Sequence, residues 1–275
     1  MSDPVTFVAQ CIELALAGVG CVLLWRHALS PSARARRGPA VLLEWNARPV
    51  EFLALLLFVT LGGFSTALIA SALVPVFGLS SDAAMVFNGA AAQIGMLAGL
   101  ALHRSAARSS PPPRLRAPAV FLTGAATFVM AIPLVIASAK LWEIILRSLG
   151  LPADKQDLIT LFLRTSSPVL LGAMIGLAVV VAPLTEELIF RGGIFRYFRG
   201  RLPRPLAFLL PALIFAALHV QWSTLGNIAS FAPLTVLALV FSVAYERTGH
   251  LGTVIVAHAL FNLNTVALIF AGVSE

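Results

Sequence analysis

PVLLGAMIGLAVVVAPLT, residues 168–185, runs eighteen positions without a charged side chain and then breaks into EELIFRGG, residues 186–193. Crossing the ~30 Å hydrocarbon layer takes roughly 20 apolar residues as a helix. The stretch is therefore read as a membrane span over residues 168–190 whose far end carries two acids and an arginine. Composition extends that reading to the whole chain. Of 275 residues, 59% are hydrophobic and 11% charged, and the mean hydropathy is +0.93. A soluble domain averages about 45–50% apolar and about 25% charged residues. The class is an all-α integral membrane protein.

By the same length rule seven further spans fall at residues 5–25, 50–77, 83–103, 118–141, 205–222, 229–246 and 252–271, giving a bundle of about eight transmembrane helices. The first is read as a retained span, since MSDPVTFVAQ lacks the basic start of a signal peptide. Pro133 makes the fourth the least regular. Residues 150–167 mix charge with apolar side chains and read as an interfacial helix or ordered loop. Two stretches rich in Pro, Ser and Arg, 30–40 and 104–118, read as linkers. Cys11 and Cys21 share the first span, build no disulfide framework, and read as packing residues.

The net charge of +7 and a pI near 10.7 would fit a nucleic-acid binder, but the placement of charge does not. Fifteen of the nineteen basic residues fall in alternate loops: Arg26, Arg34, Arg36, Arg37 and Arg48; Arg104, Arg108, Arg114 and Arg116; Arg191, Arg196, Arg199, Arg201 and Arg204; and Arg247. Only Lys140, Arg147, Lys155 and Arg164 lie on the other side. The positive-inside bias puts the first set in the cytoplasm and both termini outside. The surplus is a topology signal with room for anionic-lipid contact, and it calls for no nucleic acid.

Ionisable groups inside a span raise functional questions because they are costly there. Glu13 stands alone near one end of its span, Lys140 is placed to snorkel, and His27, His103 and His250 sit at span ends, read as solvated or interfacial. The C-terminal half is different. It concentrates Glu186, Glu187, His219, His258 and Asn262 on three apolar helices. Glu187 and Arg191 are spaced i, i+4 with the acid first, a pairing geometry that assigns them to holding the helix. Glu186, rotated ~100° away, is left free for chemistry. His258 and Asn262 share a face at i, i+4. Glu186 and His219 are equidistant from residue 202.5, inside the turn RLPRP, so they lie level across a hairpin.

Glu, two His and Asn suit hydrolysis. A carboxylate with an imidazole can hold and deprotonate water, while a neutral imidazole and an amide can donate to an oxyanion. No GxSxG or HExxH motif is present, and neither Cys lies near the cluster, so water is the nucleophile. Glu186-Glu187-x-x-x-Arg191, Phe215-x-x-x-His219 and His258-x-x-x-Asn262, with YERTGHLGTVIVAHALFN at 245–262, resemble the signature motifs of the CPBP family. That family comprises the CAAX prenyl proteases and the bacteriocin-processing (Abi) intramembrane proteases. The resemblance covers 168–270 as a protease core, with 1–150 as a variable N-terminal transmembrane half.

The resemblance implies an endopeptidase cutting a membrane-associated substrate near the cytoplasmic face. Glu186 would be the general base, His219 its partner on the water, and His258 with Asn262 the oxyanion side. Glu187, Arg191 and Phe215 would support them. The family has been described both as metallo-type and as glutamate-type. Glu186, His219 and His258 could bind zinc, but the metal-free reading is preferred because His258 and Asn262 have oxyanion roles available. The expected setting is a bacterial plasma membrane, with the bilayer and a membrane-associated peptide as partners. The alternative is a non-enzymatic immunity or scaffold factor, or a small transporter, though no inverted repeat is evident.

Overall fold

The computed structural model describes residues 3–36, 38, 40–42, 45, 47–106, 117–151, 157–223, 225 and 227–273. Arg37, Arg108, Arg114, Arg116, Lys155 and most of the second linker lie outside the described residues. The elements are α1 (Pro4–Leu24, continued by a π turn Trp25–Leu29), α2 (Pro31–Ala35), α3 (Pro49–Leu73), α4 (Ser81–Ala106) and α5 (Ala117–Ser148). They are followed by α6 (Asp157–Arg164), α7 (Pro168–Gly176), α8 (Ala182–Ile189) and α9 (Arg196–Arg199), then α10 (Arg204–Ala217), α11 (Phe231–Thr248) and α12 (Leu251–Phe270). Helices α7, α8 and α9 join through π turns at Leu177–Val181 and Phe190–Phe195 into one rod, Pro168–Arg199.

Among the described residues, seven helical segments are long and apolar enough to cross a membrane. The sixth expected span is the exception. Helix α10 has fourteen residues, about 21 Å at 1.5 Å per residue, so it stops short of a full crossing and leaves His219 just beyond its end. Two smaller expectations also change. Cys11 and Cys21 are exposed on the outer face of α1 rather than packed. His103 is buried, its Nε2 donating to the Glu51 carbonyl at 3.0 Å. The expected interfacial segment contains α6, which buries Leu161 and Phe162 in a cluster with Val266 and Ile269 of α12.

Starts and stops follow local chemistry. Pro at the first turn opens α1, α3, α7 and α10, where a missing N–H costs nothing. Ser167 caps α7 by accepting from the Leu170 N–H. Helix α11 ends at Gly249, whose φ of 64° only glycine adopts without strain, and His250 then caps α12 by accepting from the Gly252 N–H at 3.0 Å.

Lipid gives apolar helices no hydrophobic reason to associate, so backbone approach and packing must do it. Helices α3 and α4 meet along Gly62, Gly95 and Gly99, where a Cβ on Gly95 would collide with the Gly62 carbonyl and the Thr66 hydroxyl. Gly95→Val should therefore lower the thermal midpoint of the purified protein, at a cost of about 1–3 kcal/mol or more. An unchanged midpoint would show that this hairpin is loosely packed.

Helix α5 packs against α1, α11 and α12. Phe52, Leu55, Val59 and Leu100 share a core with Ile189, Phe190, Ile194 and Phe215. Residues from both halves of the chain therefore hold the rod in place. At its basic end, buried Glu246 of α11 pairs with Arg199 and Arg204, each at 2.7 Å, and so fixes the α9–α10 tip against the end of α11. Arg191 does not belong with these loop arginines: it is buried inside the rod. Removing it leaves fourteen basic residues against four, and the direction of the bias is unchanged.

Candidate active site

The α9–α10 hairpin sets the depth of its side chains. Phe195 meets Phe208 edge-on at 4.9 Å and Phe190 meets Phe215 at 5.0 Å, pairs centred on residues 201.5 and 202.5. The register inferred from the turn is thus the register of the rings as far as Phe215, and His219 follows two residues past the end of α10. Helix α12 returns alongside, with His258 about 10 Å along the axis from Leu251.

The two adjacent acids have different surroundings. Glu187 is fully buried, and its Oε1 accepts from Arg191 Nη1 and from His258 Nδ1, both at 2.8 Å. Arg191 also donates from Nη2 to the Ala238 carbonyl at 3.1 Å and lies over the rings of Phe215 and Phe241. Pairing and stacking together compensate a guanidinium that is 2% exposed. Glu187 therefore does more than hold its own helix: it orients the histidine of α12. Glu186 is 20% exposed, and its Oε2 lies 3.8 Å from His258 Nε2.

Both histidines are anchored through Nδ1. His219 Nδ1 donates to the Phe215 carbonyl at 2.7 Å, since a carbonyl can only accept. Its Nε2 takes no part in that bond, and the residue is exposed. The Phe215 ring sits between the two histidines, 4.7 Å from His219 and 6.3 Å from His258. No ion pair within 4.0 Å joins His219 directly to Glu186 among the described residues.

Asn262 lies one turn deeper than His258, and its Nδ2 donates to the Ala178 carbonyl at 2.8 Å. The expected residues thus form two layers. Glu187, Arg191 and His258 make a buried base, and Glu186 and His219 are more open. The sequence reading did not single out Asn88 or Gln93 of α4, whose amide oxygens are buried without a hydrogen-bond partner among the described residues. A polar side chain inside an apolar span was the available signal.

Glu with two histidines is a zinc-type donor set. Among the described residues, however, no three His, Cys, Asp or Glu side chains converge as a metal-holding group. As placed, the side chains do not form a zinc site.

The buried Glu187–Arg191–His258 network thus lies beside a more accessible carboxylate, Glu186, in a polytopic helical membrane protein. Residues 168–264 match the family described as Type II CAAX prenyl endopeptidase Rce1-like, in accord with the CPBP motifs. The match contains all seven motif residues from Glu186 to Asn262. An uncharacterized 24.3 kDa protein of Escherichia coli is 32% identical over 126 residues, 45% of this chain and 55% of that protein. The chain spans about half the length of that curated relative. No solved structure matches the chain.

Proposed function

We propose that the protein is an intramembrane endopeptidase that hydrolyses a peptide bond of a membrane-associated substrate near the cytoplasmic face. The observation that carries this reading is the position of His258. Its Nδ1 is fixed on the buried Glu187, and its Nε2 faces the partly exposed Glu186. Glu186 takes a proton from a water that His219 Nε2 helps to hold, and the resulting hydroxide attacks the scissile carbonyl. The oxyanion is met by the Asn262 amide and by His258. With Nδ1–H committed to Glu187, His258 donates from Nε2 only when both ring nitrogens carry protons. Glu186 then returns its proton to the leaving amine as the C–N bond breaks.

Residues 168–270 carry the chemistry in this proposal and residues 1–150 are the variable part. The setting is a bacterial plasma membrane with the basic loops in the cytoplasm. A reporter active only in the cytoplasm should work when fused after Arg247 and fail when fused after Gly150. The reverse pattern would invert the topology.

Activity is tested with purified protein in liposomes and internally quenched peptides ending in a CAAX sequence, with and without a prenyl group. A membrane proteome compared between wild type and Glu186→Ala would supply natural candidates. Cleavage by the wild type is expected. Asn262→Ala should retain a measurable remainder, because one lost oxyanion donor costs about 10²–10³ in rate. Chelation should leave the rate unchanged; chelator-reversible inactivation with stoichiometric zinc would replace this mechanism by a metal one. Immunity or growth functions that survive Glu186→Ala would favour a scaffold.

A further inference from the structure

Asn262 is held by a carbonyl that an ordinary helix would not leave open. In the π turn Leu177–Val181, the Ala182 N–H reaches back five residues to the Leu177 carbonyl. The Ala178 carbonyl would then take its bond from the N–H of residue 183, and residue 183 is a proline without one. The four-residue alternative is also closed, since the Ala182 N–H is already spent on Leu177. A backbone carbonyl left unpaired within a span is costly. The Asn262 amide fills it across 84 residues of sequence at 2.8 Å. Neighbouring backbone is treated similarly: the Thr185 hydroxyl, fully buried, donates to the Val181 carbonyl at 2.9 Å.

We infer that Pro183 is a positioning residue for Asn262: by withholding an N–H it reserves the Ala178 carbonyl for one amide proton of Asn262 and so directs the other. The clamp fixes the plane of the amide. One Nδ2–H is committed to Ala178, and its geminal partner points about 120° away, as the planar amide requires. The consequence for catalysis rests on the peptidase reading, in which that second proton meets the oxyanion. The clamp itself does not.

Pro183→Ala supplies the missing N–H. Alanine is the best helix former, so loss of the fold is not the expected outcome. The first readout needs no substrate. With asparagine amides labelled in the full-length protein, the Asn262 pair is identified among five asparagines by its disappearance in Asn262→Ala. In the wild type one of its two protons should exchange slowly. In Pro183→Ala that protection should fall by about tenfold, the equivalent of one ordinary hydrogen bond.

The second readout is kinetic, on the quenched peptide that the wild type cleaves. Pro183→Ala should lower kcat by about 10–100-fold with KM unchanged, since misplacing a group by an ångström costs up to ~10². In the Asn262→Ala background it should lower kcat no further. Protection of Asn262 that survives Pro183→Ala would overturn the inference, and so would losses that multiply in the double variant. If the wild type cleaves no peptide while Asn262 protection still depends on Pro183, the peptidase reading fails and the clamp stands.

Discussion

Glu186→Gln is expected to abolish peptide hydrolysis while leaving the thermal midpoint nearly unchanged. The amide has the shape of the carboxylate but cannot accept the proton that water must lose. A positioned general base contributes about 10²–10⁴-fold, and Glu186 in this mechanism serves twice, as base and then as the acid that protonates the leaving amine. The loss should therefore reach at least the upper part of that range. Stability should be spared because Glu186 is 20% exposed and its ion-pair distance to His258 Nε2 is a long 3.8 Å. Single-turnover cleavage of the quenched peptide, read beside an unfolding scan, separates the two effects. Full activity in Glu186→Gln would defeat the peptidase assignment itself.

Glu187→Ala should have the opposite profile, with a large loss of stability before any question of rate arises. Removing this carboxylate strands a guanidinium that is 2% exposed, leaving the Ala238 carbonyl, two aromatic rings and the more distant Glu186 carboxylate to compensate it. Breaking one partner of a buried pair costs about 3–5 kcal/mol, because the remaining charge stays buried. The variant should unfold at a markedly lower temperature in the same detergent. Arg191→Ala with Glu187→Ala should cost less than the two single losses added together, since the double change leaves no orphan charge. Additive losses would mean that the pair does not share one network. Glu187→Gln should fall between, keeping an acceptor for Arg191 or His258 but not the charge. Its residual activity should be low, because His258 Nδ1 then lacks the carboxylate that fixes its orientation.

The motif spacing made much of the site legible. Glu187 and Arg191 meet because residues four apart on one helix are neighbours whatever surrounds them. Likewise His219 Nδ1 finds the Phe215 carbonyl one turn back on its own chain. Counting to the hairpin turn gave the register of the two helices, which the Phe190–Phe215 ring pair has. The apolar runs and the arginine-rich loops marked the spans. Less legible was the length of α10, because the apolar residues continue past Ala217 and hydropathy does not register where backbone bonds stop.

The sequence by itself determined the class of fold, all but one of the expected spans, the motif spacing and the contacts within single turns of helix, because each depends on chain-local periodicity or on transfer between water and lipid. Only the tertiary structure decided that Glu187 serves His258 as well as Arg191, and that Asn262 is anchored on Ala178. Those bonds bridge 71 and 84 residues, and they depend on how two helices are rotated about their axes. In a soluble protein the polar face of a helix would disclose that rotation. In a bilayer the lipid-facing and protein-facing sides are both apolar, so rotation is set by close packing and by π turns such as Leu177–Val181, each of which advances the helix face by an extra residue.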